Sequence, residues 1–275
     1  MNIFYTLGKV LTVAAFFLVA CNTSDTSDSK DKKVTVKKDS VQYSSGPVNM
    51  NGYVAYNTSD ETRKPVILIV HEWWGLNEYT KMRADQLADM GYLAMAVDLY
   101  GDGLQADDPE AAGKLALPFY QNPSISKDRL TAALASIKAH PMADTTRIAA
   151  IGYCFGGTQV LNLARLGEDL KGVVSFHGNL SGVEVRKELL KADILICHGE
   201  ADEFVNKEVA PFKKSMDSAA VEYTFKSYPK ATHAFTNPNA TEKGKKFNMP
   251  IEYNEAADKS SWNDMKDFFV KIFGK

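Results

Sequence analysis

The sequence is poor in cysteine, with three in 275 residues, which excludes a disulfide-stapled scaffold. It has no charge surplus, since 32 Lys+Arg stand against 34 Asp+Glu for a net charge of -2. A nucleic-acid-binding domain usually carries a basic excess, so no nucleic-acid partner is expected. No apolar run reaches the roughly 20 residues that a membrane-spanning helix requires. Glycine-rich phosphate loops are missing, and so are clusters at metal-ligand spacing; His71-Glu72 lacks the later histidine of H-E-x-x-H. No metal and no organic cofactor is therefore expected. What is present, 45% hydrophobic, 24% charged and 11% aromatic residues, is the balance of an ordinary globular chain.

The first twenty residues read as an address. Val10 to Ala20 is apolar apart from Thr12, long enough for a signal h-region and too short to span. It ends in Leu18-Val19-Ala20-Cys21, which resembles the lipobox of bacterial lipoproteins. That resemblance implies an exported chain, lipidated at Cys21 and held at a membrane through this anchor; the alternative is an uncleaved anchor helix. Asn22 stands where an aspartate would signal inner-membrane retention, which favours an outer membrane. Residues 21–40 mix Ser, Thr, Asp and Lys, a composition that predicts a flexible tether. The folded domain is expected over residues 41–275.

There, strands alternate with helices. A hairpin is expected around Ser45-Gly46-Pro47, with Asn51-Gly52 as a further turn signal. Continuous apolar runs at Pro65–Val70, Tyr92–Val97, Arg147–Ile151, Gly172–Phe176 and Asp193–Cys197 fit strands covered on both faces. Val221–Tyr228 adds another strand. Helical spacing occupies Tyr79–Met90, Pro109–Tyr120, Lys127–His140, the stretch up to Leu166, and Ser260–Phe273. The pattern predicts an α/β fold, with a mostly parallel sheet flanked by helices and preceded by a hairpin.

The chemistry centres on Gly152-Tyr153-Cys154-Phe155-Gly156-Gly157, where a strand turns sharply into a helix. G-x-C-x-G in that context has the layout of a nucleophile elbow, whose glycines allow strand and helix to approach. A helix N-terminus also favours thiolate at Cys154. Asp202 and His233 each follow a later strand, in the order nucleophile, acid, histidine. Their expected roles are orienting carboxylate and general base. Cys197 lies in an apolar strand and reads as a core thiol. One strand separates it from that of Cys154, a gap of about 9.5 Å, so no disulfide is expected.

These blocks, together with His71-Glu72-Trp73-Trp74-Gly75-Leu76 and Val97-Asp98-Leu99-Tyr100, resemble the dienelactone hydrolase family, the cysteine branch of the α/β-hydrolases. The resemblance implies an α/β-hydrolase fold. It also implies that Glu72 contacts the resting thiol, and that backbone N–H groups of Trp73 and Phe155 form an oxyanion hole. The family's two substrate-carboxylate arginines have no counterpart in Gly101-Asp102-Gly103 or Ala234-Phe235-Thr236-Asn237. Trp74, Tyr100 and Phe235 are instead expected to line an apolar pocket. Arg83 and Lys81, on the following helix, are not expected to reach substrate.

The sequence thus predicts a monomeric hydrolase of small neutral esters or lactones, acting through a Cys154 acyl-enzyme. The rival readings are a peptidase or acyltransferase using the same triad, and a non-catalytic ligand-binding lipoprotein.

Overall fold

The computed structural model describes residues 1–4 and 35–274. The expected lipidation at Cys21, most of the signal segment and most of the tether lie outside the described residues. Residues 35–274 belong to one compact unit.

The sheet opens with an antiparallel hairpin, β1 (Val36–Ser45) and β2 (Val48–Asn57), closed at Gly46, whose φ is +57°. β1 starts five residues before the expected domain boundary. Val36 pairs with Asn57, and the Lys37, Lys38 and Asp39 that made this stretch look like tether suit an exposed edge strand. Asn51-Gly52 is not a turn; it lies inside β2, with Gly52 opposite Val41. A Cβ on Gly52 would press on Met95, Val41 and Tyr43 at 3.0–3.2 Å, so here glycine serves packing.

The remaining elements are β3 (Lys64–Val70), α1 (Glu78–Asp89), β4 (Leu93–Val97), α2 (Pro109–Gln121), α3 (Pro123–Lys138), β5 (Ala143–Tyr153), α4 (Phe155–Arg165), β6 (Gly172–Phe176), β7 (Asp193–Gly199), α5 (Asn206–Ser218), β8 (Thr224–Tyr228), α6 (Ala240–Phe247) and α7 (Glu255–Phe273). The strands run in the order β1-β2-β4-β3-β5-β6-β7-β8, and all pairings from β4 onward are parallel. This is the expected α/β-hydrolase architecture with its N-terminal hairpin.

Alternation within β3 divides the core. Val66, Leu68 and Val70 pack with α2 to α5, whereas Ile67 and Ile69 pack with α1 and α7. Local chemistry sets where the helices begin: Asn77, Asp108, Asn122 and Asn254 each accept an N–H of the first turn of α1, α2, α3 and α7. α5 and α6 were not singled out from the sequence. Pro211 interrupts the hydrogen-bond ladder of α5, and α6 has only eight residues.

Candidate active site

Cys154 occupies the turn between β5 and α4 with φ +52° and ψ -117°, a conformation that L-residues adopt only at a cost. Packing imposes it. A Cβ on Gly152 would collide with the Gly156 carbonyl, and one on Gly156 with the carbonyl of Val70. β5 can therefore turn into α4 only through glycine. The Cys154 N–H donates to Phe176 O at 2.9 Å and to His177 Nδ1 at 3.1 Å.

The loops after β7 and β8 bring the other two residues to the sulfur. His233 Nε2 lies 3.0 Å from Cys154 Sγ, and His233 Nδ1 lies 2.8 Å from Asp202 Oδ2. Asp202 is fully buried, and its Oδ1 accepts the N–H groups of Phe204 at 3.0 Å and Val205 at 3.2 Å. Those bonds aim the carboxylate, which in turn fixes a proton on Nδ1 and leaves Nε2 facing sulfur. Burial alone would push the His233 imidazole down. The Cys154 sulfur and the Asp202 carboxylate outweigh it and hold the imidazole well above its usual value, so it is disposed to take the thiol proton.

A second histidine stands behind the first. His177, with its ring centroid 5.2 Å from that of His233, accepts the Cys154 N–H through Nδ1. Its Nε2 therefore carries the proton and donates to Thr236 Oγ1 at 2.8 Å. Burial, then the neighbouring His233 and Arg83, push His177 well below the usual histidine range. It stays neutral, so it does not compete for the proton that His233 receives. Arg83 is also buried, donating to the Thr236 carbonyl at 2.7 Å and to Asp258 Oδ1 at 2.5 Å. As expected, it does not line the cavity.

Glu72 departs from the expectation. It is 2% exposed and lines the cavity, but Asn237 Nδ2 donates to its Oε2 at 2.6 Å while the thiol is engaged by His233. Burial raises its carboxyl above the usual range, opposed by Asn237 and by Lys243, His233 and Arg83. The structure thus holds the sulfur on its base, with Glu72 tied aside.

The N–H groups of Trp73 and Phe155 are engaged by no other hydrogen bond among the described residues, leaving both available to an oxyanion. A cavity of about 750 Å³ opens over Cys154 and His233, bounded by Trp73, Trp74, Tyr120, Phe204, Met249 and Ile251. Trp74 lines it as expected; Tyr100 and Phe235 do not. Tyr100 packs against His71 and Phe155 in the core, and its hydroxyl donates to Trp73 O at 2.9 Å. It therefore braces the Trp73 loop. Phe235 is fully buried between His177 and Tyr228. Both are aromatic residues next to site residues in sequence, but their backbones turn them inward.

Other sequence readings find their places. Asp98 organises a loop by accepting the N–H groups of Asn51, Gly101 and Gly103 at 2.9–3.0 Å. Cys197 is a buried free thiol. Tyr120, Phe204 and Asn237 were not anticipated.

A model of the dienelactone hydrolase family matches residues 50–273. The chain belongs to that family. It is 31% identical over 203 residues to the "Putative carboxymethylenebutenolidase" of Aquifex aeolicus, covering 72% of this chain and 86% of that protein. Among solved structures it resembles m3DLH, with a TM-score of 0.80 at 31% identity, over 86% of this chain and 98% of the other. It also resembles a dienelactone hydrolase-like promiscuous phosphotriesterase from metagenomic libraries, with a TM-score of 0.78 at 29% identity, over 86% and 98% of the two chains. Among the described residues no arginine lines the cavity of this dienelactone hydrolase family member.

Proposed function

We propose that this dienelactone hydrolase family member hydrolyses small neutral esters or lactones through a Cys154 acyl-enzyme. The observation that carries the reading is the continuous chain from Cys154 Sγ through the His233 ring to Asp202, at 3.0 and 2.8 Å, beneath an open cavity.

His233 takes the thiol proton and the thiolate attacks the substrate carbonyl. The tetrahedral oxyanion is received by the Trp73 and Phe155 N–H groups. His233 then protonates the departing alkoxide, leaving a thioester on Cys154. In the second half-reaction His233 removes a proton from water, hydroxide adds to the thioester, and collapse releases the acid and restores the pair. Preference for an uncharged substrate is supported by the absence of a lining arginine among the described residues and by the carboxylates of Glu72 and Glu208 in the cavity wall. Lys207 is at the rim and exposed.

We further propose that the chain acts as an exported lipoprotein anchored through Cys21, a reading supported by the Leu18-Val19-Ala20-Cys21 pattern. A monomer suffices, since one chain supplies the triad and both oxyanion donors.

The test is a panel of short-chain p-nitrophenyl esters and lactones, run on the wild type and Cys154→Ala. Turnover lost in the variant supports the reading. Turnover that survives means that Cys154 is not the nucleophile. Metabolic labelling with palmitate, lost in Cys21→Ser, tests the anchor.

A further inference from the structure

Helix α4 presents more than the nucleophile to the cavity. Cys154, Thr158 and Asn162 recur every fourth residue and so share one face, and all three line the cavity. At the rise of an α-helix, Thr158 stands about 6 Å and Asn162 about 12 Å beyond the cysteine along the axis. Both are only 2% exposed. Asn162 Oδ1 accepts the Val183 N–H at 3.0 Å, which fixes the amide and leaves its Nδ2 with no partner among the described residues. Gly182, at φ +146°, packs so tightly on that amide that a Cβ there would strike Asn162 Oδ1. The Thr158 hydroxyl is sealed within the wall against the Tyr120 phenol, so it is not offered to a ligand. Asn162 Nδ2 is the donor that this face of α4 leaves open to the cavity, free to meet a ligand acceptor.

Glu208 lies at the same end. Its carboxylate accepts from Asn179 Nδ2 at 3.0 Å, Leu180 N at 2.7 Å and Ser181 N at 2.9 Å. Burial would raise this carboxyl, but those three residues' hydrogen bonds hold it below its usual value. It is an anion with acceptor capacity to spare, which repels a carboxylate and welcomes a hydroxyl. The opposite end is mainly apolar, walled by Trp73, Trp74 and Met249, with the Glu72 carboxyl beside them held by Asn237.

The direction of the reaction assigns the two ends. The polar end adjoins the segment carrying Phe204, whose ring lies 5.3 Å from that of His233. His233 returns its proton to the leaving oxygen, so the alcohol departs on that side. We propose that the alcohol half of the substrate is polyhydroxylated, a polyol or sugar ester, and that the acyl half is apolar. This rests on the ester-hydrolase reading above.

Glycerol 1-monobutyrate and propyl butyrate share an acyl group and differ by two hydroxyls. With the full chain, kcat/KM is expected to favour the glycerol ester by about tenfold, the worth of one or two hydrogen bonds. That ratio is expected to collapse toward one in Asn162→Leu and to fall in Glu208→Gln. Asn162→Leu also deprives Val183 of its acceptor, so the shape-conserving Glu208→Gln, which replaces a charged acceptor with a weaker neutral one, is the deciding variant if the other misfolds. A wild-type ratio near one, or a ratio unmoved by Glu208→Gln, overturns the subsite while leaving the hydrolase intact. If the wild type cleaves neither ester, the hydrolase reading fails. The subsite is then judged on Cys154→Ala by thermal unfolding. Stabilisation by glycerol monobutyrate beyond that by propyl butyrate upholds it, and equal or absent shifts overturn it.

Discussion

His177 Nδ1 accepts the backbone N–H of Cys154 at 3.1 Å. This bond ties the strained nucleophile turn to the end of β6 and fixes the His177 tautomer. His177→Phe keeps a ring in the space but removes the acceptor. We expect kcat to fall about tenfold with little change in KM, the effect of one lost positioning hydrogen bond. Thr236→Val, which spares the bond to Cys154 but breaks that on the far side of the ring and one to the Tyr79 hydroxyl, should cost less. Steady-state kinetics on both variants check this; equal losses would show that the bond to Cys154 is not the important one.

Asp202 fixes the proton on His233 Nδ1 and helps hold the imidazole above its usual value. Asp202→Asn keeps the size and loses both effects. By analogy with triads of this geometry, kcat should drop by about 10² to 10⁴. Removing the carboxylate also lowers the proton affinity of His233, so iodoacetamide should alkylate Cys154 more slowly at neutral pH than in the wild type. A variant that alkylates and turns over normally would remove Asp202 from the mechanism.

The thiols at 154 and 197 should differ sharply in reactivity. Cys154 is partly exposed in the cavity, whereas Cys197 is buried and its thiol is pushed up to about 12 by burial, against which a contact with Tyr228 acts. Peptide mapping after iodoacetamide treatment should find Cys154 modified in the native protein and Cys197 only after denaturation. Labelling of Cys197 under native conditions would contradict the packing of β7.

Buried His71 makes stability depend on pH. Burial lowers it from 6.5 to about 4, opposed by its bond to the Glu72 carbonyl. In that window the unfolded chain binds a proton that the folded chain does not, so stability rises with pH. The contribution is complete above pH 6.5 and is lost as pH falls toward 4, by about 3 kcal/mol at most. His177 acts in the same direction. Urea titrations across this range should show the loss, and His71→Asn should flatten it; an unchanged slope would mean that His71 titrates freely.

Much of this was legible before any coordinates. Periodicity located the central strands because β3, β5, β6 and β7 are covered on both faces and read as uninterrupted apolar runs. Cys154, Asp202 and His233 could be named because an elbow needs glycine at fixed offsets and the acid and base follow strands. β1 was under-read because an edge strand keeps charged side chains that also suit a tether. Tyr100 and Phe235 were misassigned because proximity in sequence says nothing about which way a loop turns a ring.

The sequence by itself determined the fold class, the nucleophile and the order of its partners, since each depends on local steric rules or short-range patterning. Only the tertiary structure decided that the thiol rests on His233 with Glu72 tied to Asn237, and that His177 sits behind both. It alone gave the cavity a polar and an apolar end. These depend on distances between side chains far apart in the chain, such as Glu72 and Asn237, 165 residues apart. No local pattern encodes such distances; they arise when the sheet brings its loop ends together.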